Sequence, residues 1–546
     1  MATFRNPVLP GFNPDPSFVR VGDDYYLANS TFEWFPGVQL HHSCDLVNWR
    51  LVGHALTRTS QLDLRGVADS GGVWAPSMSY SDGRFWLIYT NIRTSGMGRR
   101  YKDIEIFLTT AEKIEGPWSE PVFLNSIGFD PSLFHDDDGR KWLVNMEWDH
   151  RKDRFAFAGI VVQEYDPVAR KLVGPTHKIL EKHNILTEGP NLYKKDGWYY
   201  LMLAEGGTGW NHGISMARSR SITGPYELDP QESVLTSRDD AGLPLQKAGH
   251  GELIETPAGE WWLAHLCSRP VKTSAGVNLD SPDKTAAASE RAGFRCMLGR
   301  ETALQRVVWS EDGWLRLAHG GHHPLLEVEA PAELAPAPWP ALPPRDDFDS
   351  PVLDVHWSSL RVPVDESWLS LTERPGWLRL RGRHSPISWF EQSLIAKRLT
   401  AFRATAETCL EFEPTHFTQM AGLICYYDTR THYYLRVSHD EGRGKVLGIV
   451  LFDDTAYDEI DSTIDINGWS RVWLRAEIDQ DRLQFSASPD GETWQTVGPV
   501  LDASKLSDDY GHYLHFTGTL IGVCAQDLGG TRAVADFDYF ELKNEA

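Results

Sequence analysis

The feature that most constrains this chain is an internal repeat that returns five times in its first half. A short turn pairs a small or acidic residue with Pro or Gly, and a glycine turn, paired aromatics and Leu follow it. The first unit is Asp15-Pro16-Ser17-Phe18 with Gly22 and Tyr25-Tyr26-Leu27, and the second is Trp74-Ala75-Pro76-Ser77 with Gly83 and Phe85-Trp86-Leu87. Asp130-Pro131-Ser132, Glu188-Gly189-Pro190 and His250-Gly251-Glu252 open the other three, which continue into Trp142-Leu143, Tyr199-Tyr200-Leu201 and Trp261-Trp262-Leu263. The leading residues Asp15, Ala75, Asp130, Glu188 and His250 stand 60, 55, 58 and 62 residues apart. Self-similarity at such a period fixes the architecture before any other signal does. Each unit has the grammar of a hairpin, and units of this length suit four-stranded blades set radially. The repeat therefore predicts a five-bladed β-propeller whose innermost strands line a central channel, with the five leading residues gathered at one mouth. Three of the five are acids.

The rest of the chain divides readily. Residues 1–325 hold the repeats, with Asp45–Trp49 and Gly116–Glu120 expected in outer strands and 268–293 as a polar surface loop. Residues 326–345 are rich in Pro and Ala and read as a stiff linker. Residues 346–546 alternate apolar and polar positions, as in Trp377-Leu378-Arg379-Leu380-Arg381, without a helical period. This predicts a β-sandwich, with the segments around Asp347–Asp349 and Asp536–Phe540 paired in one sheet. The fold class is all-β throughout.

Composition narrows the partners. A net charge of −23 disfavours nucleic acid and anionic membranes and suits a neutral ligand. The 21 Trp, 18 Tyr and 23 Phe can fill blades or stack on sugar faces. Met1–Asn6 has no basic region leading into an apolar stretch, so a cytoplasmic protein is expected. The six cysteines (44, 267, 296, 409, 425, 524) have no CxxC or zinc-type spacing and read as reduced and mostly buried.

Three carboxylates at one channel mouth suit glycoside hydrolysis, which needs one acid to protonate the leaving oxygen and one carboxylate to activate water or attack carbon. Asp15 and Glu188 are the candidate pair and Asp130 the third member. Inversion requires the pair to stand about 6.5–9.5 Å apart, a span a five-bladed channel can provide. Glu188 is expected to be held protonated by Asp130, and Asp15 to stay ionised. His250 could tune a carboxylate, hold a water or bind a metal on the channel axis. Arg300 could hold a sugar hydroxyl or orient an acid. Phe32, Trp34, Trp74 and Trp148 could wall a sugar pocket or belong to the blade cores.

At these residues the chain resembles glycoside hydrolase family 43, and within it the two-domain β-xylosidases. The matching stretches are NPDPS (13–17), STFEWFPGVQLHHS (30–43), GGVWAP (71–76), GFDPSLF (128–134), TEGP (187–190), AGHGEL (248–253), LGRETALQ (298–305), HFTG (515–518) and ADFDYF (535–540). The resemblance implies metal-independent, inverting removal of terminal xylose from short β-1,4-xylo-oligosaccharides, with no required cofactor although a calcium ion could bind. It implies Asp15 as general base, Glu188 as general acid and Asp130 as the residue that raises and orients that acid. It also implies Arg300 on the terminal sugar, Phe32 and Trp74 lining its pocket with Trp148 and Thr208 nearby, and Phe516 reaching in from the second domain. Family members also cleave α-L-arabinofuranosides, and a homo-oligomer, dimer or tetramer, is expected. The chain departs from its relatives at Ser77-Met78, Asn191 and the longer 268–293 stretch, which are expected on the leaving-group side. A non-catalytic sugar-binding propeller is the alternative from another class.

Overall fold

A computed structural model describes residues 2–95, 100–274, 285–513 and 515–545. It contains five radial sheets, each antiparallel and built around four strands. In chain order the innermost strands are Ser17–Val21, Gly72–Ser81, Gly128–His135, Thr187–Lys195 and Gln246–Glu255, and they pack on one another around the channel. The fourth blade carries an additional strand, Leu235–Thr236, beside its third. In every blade the first hairpin turns at the glycine of the repeat: Gly22, Gly83, Gly139, Gly197 and Gly259 all have φ between 66° and 86°. A Cβ at Gly22, Gly83 or Gly139 would meet nothing within 4 Å, so the backbone conformation, not crowding, demands glycine there.

The repeat register differs by one residue in the fourth blade from that read in the sequence. Asp15, Ala75, Asp130, Gly189 and His250 share a left-handed backbone (φ 51°, 34°, 51°, 56° and 43°), each immediately before the Pro or Gly of its repeat. In the last four blades the inner strand bulges here, as its pairing shifts across Trp74/Ser77, Phe129/Ser132, Glu188/Asn191 and Gly249/Gly251. A bulge re-aims the side chains around it. Glu188 therefore precedes the equivalent position, which Gly189 occupies because a Cβ there would lie 2.9 Å from Ala204 Cβ and 3.2 Å from the His250 ring.

Two further expectations need correction. Asp45–Trp49 and Gly116–Glu120 are turns that lead into the outer strands Arg50–Leu56 and Val122–Asn125. The stretch 268–293 is not wholly a loop, since Val271–Lys272 pairs with Phe294–Arg295 and Ala286–Glu290 is helical; residues 275–284 lie outside the described residues. The propeller ring is closed near the N-terminus. Thr3–Arg5 pairs with Glu327–Glu329, and the Asn6 amide donates to the Leu304 and Leu325 carbonyls (2.8 and 3.0 Å).

Residues 330–344 lie along the first blade instead of hanging free. The Ala337 amide donates to Asp45 (2.7 Å), and Trp339 donates to the Asn48 carbonyl (3.1 Å) beneath the Arg50 guanidinium. The C-terminal part is a two-sheet sandwich, and Arg345–Asp346, just ahead of the Asp347–Asp349 segment expected to pair, is what pairs with Val534–Glu545.

One sheet of the sandwich ends on a propeller segment. Trp34–Phe35 pairs with Ser358–Leu360, so the two domains share a β-ladder. Trp34, a possible pocket wall from sequence, is instead wholly buried edge-on against Tyr426 of the sandwich. Alongside this joint, Arg361 donates to the Val67 carbonyl (2.6 Å) and to Asp69 (2.7 Å), with both side chains almost completely buried. Removing one partner of such a pair leaves a charge stranded without water and typically costs about 3–5 kcal/mol. Arg361→Met is therefore expected to destabilise the chain by about that amount, measured as a lowered urea midpoint.

Glu33 sits in the same joint and accepts a hydrogen bond from the Ser70 amide (3.0 Å). Burial pushes its carboxyl up to about 8, against the pull of Arg361. The folded state thus keeps a proton that the unfolded chain releases near the ordinary Glu value. The stability this group confers is complete at acid pH and is lost as pH rises towards about 8. Glu33→Gln, which cannot ionise, should reduce the difference in melting temperature between pH 6 and pH 8.

Candidate active site

The bulged strand tops and the joining sandwich converge on one pocket, lined by Asp15, Phe32, Trp74, Ala75, Phe129, Asp130, Glu188, Thr208, His212, His250, Arg300 and Phe516. All but Phe516 come from the propeller. A larger cavity of about 320 Å³ opens at the opposite mouth of the channel, but it contains none of the three acids. The three acids line the smaller pocket. Met78 and Asn191, expected on the leaving-group side, line the far cavity instead.

Asp15 is held by fixed donors. Arg300 Nη1 lies 2.9 Å from Oδ1, and the Ser30 hydroxyl donates to Oδ2 at 2.6 Å. Burial acts to raise this carboxyl, but Arg300, His250 and the Ser30 hydroxyl together outweigh it and hold the group below its ordinary value. Asp15 is therefore an anion at neutral pH. Ser30 oxygen also accepts from the Ala75 amide (2.8 Å), so the second blade helps to position the first blade's acid.

Glu188 has the opposite environment. Burial, then the negative charge of Asp15, push its carboxyl up to about 7, and Arg300 only partly opposes them. Asp130 is buried beside it and is driven upward by burial and by Glu188 and Asp15 in turn. A half-buried and a buried carboxyl side by side cannot both ionise cheaply, so the pair retains a proton at neutrality. The sequence reading gave Asp130 the leading part in raising Glu188; here burial and Asp15 do most of it. Asp130 Oδ2 accepts the Gly189 amide at 3.0 Å, which fixes the backbone carrying Glu188.

Arg300 joins the remaining parts. Its Nη1 also donates to Thr208 (2.7 Å) and its Nη2 to the Phe516 carbonyl (3.1 Å), while Nε is buried with no protein partner. The Phe516 amide donates to Ser70 (3.1 Å), so the sandwich loop is clamped from both sides. Phe32, Trp74 and Phe516 form an aromatic wall, with ring centroids 5.8 Å apart for Phe32–Phe516 and 5.4 Å for Trp74–Phe516. Phe32 has φ 51°, and its backbone exchanges two hydrogen bonds with Val73 that hold the ring towards the pocket.

The pocket thus brings together Asp15, Asp130, Glu188, Phe32, Trp74, Thr208, His250, Arg300 and Phe516. Trp148 does not reach it; its ring stands behind Phe129, 5.6 Å between centroids, and donates to the Arg100 carbonyl. Phe129 takes the place expected for it. His212 is a lining residue the sequence reading missed. Burial drives its imidazole down to about 3, Nδ1 faces the Glu205 carbonyl (3.0 Å), and Nε2 has no protein partner. It is a neutral ring, and burial also lowers His250, against the pull of Asp15. The only sequence cue was a polar Gly-Trp-Asn-His-Gly turn at 209–213. Below the acids, Glu252 accepts from Ser17, Ser77 and the Phe18 amide, tying the first, second and fifth blades together.

An ionised carboxylate and a protonated one facing a pocket walled by aromatics are the equipment of a glycosidase. Residues 4–315 match the family model described as Glycosyl hydrolases family 43, and residues 345–543 match Beta xylosidase C-terminal Concanavalin A-like domain. The chain belongs to glycosyl hydrolase family 43. It is 48% identical over 541 residues to a Vibrio protein named Xylan 1,3-beta-xylosidase, covering 99% of both chains. It is 47% identical to Xylosidase/arabinosidase 43B of Humicola insolens, covering 99% of this chain and 97% of the relative. The crystal structure of a xylan beta-1,4-xylosidase from Bacillus halodurans superposes with a TM-score of 0.94 at 52% identity, covering 99% of this chain and 100% of that one. The five-bladed propeller and concanavalin-like sandwich are therefore this family 43 hydrolase's architecture as well as its sequence signature.

Proposed function

We propose that this family 43 hydrolase is an exo-acting, inverting β-xylosidase that releases xylose from the non-reducing end of xylo-oligosaccharides. The observation that carries the reading is the split between Asp15, kept ionised by Arg300 and Ser30, and Glu188, kept protonated by burial and Asp15. Asp15 acts as general base on a water, Glu188 as general acid on the leaving oxygen, and Asp130 positions Glu188 through the Gly189 amide. Arg300 Nε and His212 Nε2, both buried and unpaired, are placed to meet sugar hydroxyls, since buried polar atoms require partners. Phe516 closes the pocket over the terminal sugar, which favours chain ends and excludes bulk water.

The two acids set the pH dependence. Activity needs Asp15 unprotonated and Glu188 protonated, so kcat/KM should fall on the alkaline side with a midpoint near about 7 and on the acid side only below the ordinary Asp range. A pH–rate profile on an aryl β-xyloside checks both limbs.

The names of the relatives favour a second reading in which the same acids cleave α-L-arabinofuranosides, alone or in addition. Digestion of xylotriose, with rates on aryl β-xyloside and aryl α-arabinofuranoside, separates the two. Xylose and xylobiose as the first products support exo action on xylosides, and early internal cleavage or turnover of the arabinofuranoside alone overturns it. Comparing β-1,3- and β-1,4-xylobiose assigns the linkage.

A further inference from the structure

Outside the pocket, the first blade carries a group of side chains that the hydrolytic chemistry does not use. Asp24 opens the strand Asp24–Asn29, and His42 and Cys44 lie at the end of the neighbouring strand Gly37–Ser43 and just past it. Tyr26 pairs with His42 in the antiparallel ladder, so continuing the register sets Asp24 opposite Cys44. His42 and Cys44 are two residues apart and share a face of the sheet with Asp24. Both strands end here at the rim away from the acids.

The three donor atoms converge. His42 Nε2 lies 2.6 Å from Asp24 Oδ1, and Cys44 Sγ lies 3.7 Å from that oxygen and 3.8 Å from His42 Nε2. A tetrahedral zinc ion with ordinary bond lengths to S, N and O needs donor separations of about 3.3–3.6 Å. The two sulfur distances nearly meet this already. The Asp24–His42 separation must open by about 0.7 Å to reach it, and Asp24, with a side chain 46% exposed, is free to shift. His42 is held in place: Tyr26 stacks on it at 5.0 Å and Trp339 leans on it at 5.4 Å. Cys44 is also the exception among the six free cysteines, five of which are buried while it is half-buried. A thiol, an imidazole and a carboxylate form a mixed donor set that suits Zn²⁺ and its chemical analogues and does not suit Ca²⁺ or Mg²⁺.

We propose that Asp24, His42 and Cys44 form a binding site for a zinc-class divalent cation on the first blade, with solvent at the fourth position. On binding, the Cys44 thiol loses its proton to solvent as the metal–sulfur bond forms. The His42 ring takes the tautomer with hydrogen on Nδ1, which frees Nε2 to bind, and Asp24 supplies one oxygen. The site lies beside the place where residues 337–339 dock onto the blade through Asp45, Asn48 and Arg50, and Trp339 packs against His42 there.

Another group, Asp239, His322 and His323, offers two imidazoles and a carboxylate without sulfur. That difference makes the test specific. The chelator-treated full chain is titrated with Co²⁺ and followed by absorption spectroscopy. The expected result is a near-ultraviolet thiolate-to-cobalt band that saturates at one equivalent, is lost in Cys44→Ser, and is displaced by Zn²⁺. Cys44→Ser should keep its hydrolytic rate on an aryl β-xyloside, which shows that the variant is folded. Three outcomes overturn the proposal: no near-ultraviolet band in the parent chain, a band that survives Cys44→Ser, or visible cobalt bands alone, which would place the metal on Asp239, His322 and His323.

Discussion

Asp15→Asn is expected to lower kcat/KM on xylobiose by about 10²–10⁴-fold, the range general-base catalysis supplies. The amide preserves the shape of the side chain: its oxygen can still accept from Arg300, 2.9 Å from Oδ1, while its NH2 takes the Oδ2 position and donates to the Ser30 hydroxyl oxygen, 2.6 Å away. It cannot take a proton from water. Since a neutral side chain also stops repelling charge on Glu188, the alkaline limb of the variant's residual activity should move to lower pH. Steady-state kinetics across pH, with a circular dichroism spectrum matching the parent, checks both parts. A rate within a few-fold of the parent would remove Asp15 from the chemistry.

Glu188→Gln should have an effect of similar size on xylobiose but a much smaller one on xylosides with a good phenolate leaving group. A general acid matters in proportion to the leaving group's need for a proton. Xylose as leaving group needs one badly; a nitrophenolate needs little help. The alkaline limb near about 7 should also disappear in the variant, because the group that titrates there is gone. Equal losses on both substrates would assign Glu188 a binding role in place of proton transfer.

These predictions rest on geometry that the sequence foreshadowed only in part. The repeat with its turn glycines was plain because each blade needs a left-handed backbone at Gly22, Gly83, Gly139, Gly197 and Gly259, and glycine marks such positions openly. The acids were visible as residues beside Pro or Gly, but the bulges that carry Asp130 and Glu188 were not. Bulges are a matter of pairing, and pairing is absent from a single sequence, so Glu188 was read as the equivalent of Asp15 and Asp130, a position that Gly189 occupies. The sharing of a β-ladder between Trp34–Phe35 and Ser358–Leu360 was hidden for the same reason: strands about three hundred residues apart leave no local pattern. Trp34 consequently read as a pocket wall or part of a blade core, when its burial belongs to the domain joint. His212 was missed because an isolated histidine in a polar turn has no periodicity to announce it, and only its unpaired buried Nε2 marks it as a ligand-facing group. Trp148 illustrates the opposite error, since an aromatic near a repeat opening packs behind Phe129 as readily as beside a sugar.

The joint between the domains also explains why Phe516 can be a fixed wall. Its amide is held by Ser70 and its carbonyl by Arg300, while Ser70 donates its own amide to buried Glu33. Arg361 and Asp69 anchor the same propeller segment to the sandwich. The closing ring is therefore supported by the same buried charges that join the domains, and disturbing Arg361 should raise KM as well as lower stability.

The central claim is that Asp15 activates a water on one side of the sugar while Glu188 protonates the bond on the other. Proton NMR of xylotriose hydrolysis, recorded before the released sugar mutarotates, tests it most directly. The account predicts that α-xylose appears first, because a water delivered by Asp15 inverts the anomeric centre. If β-xylose appears first, one of the acids attacks the sugar as a nucleophile, and the roles assigned to Asp15 and Glu188 are wrong.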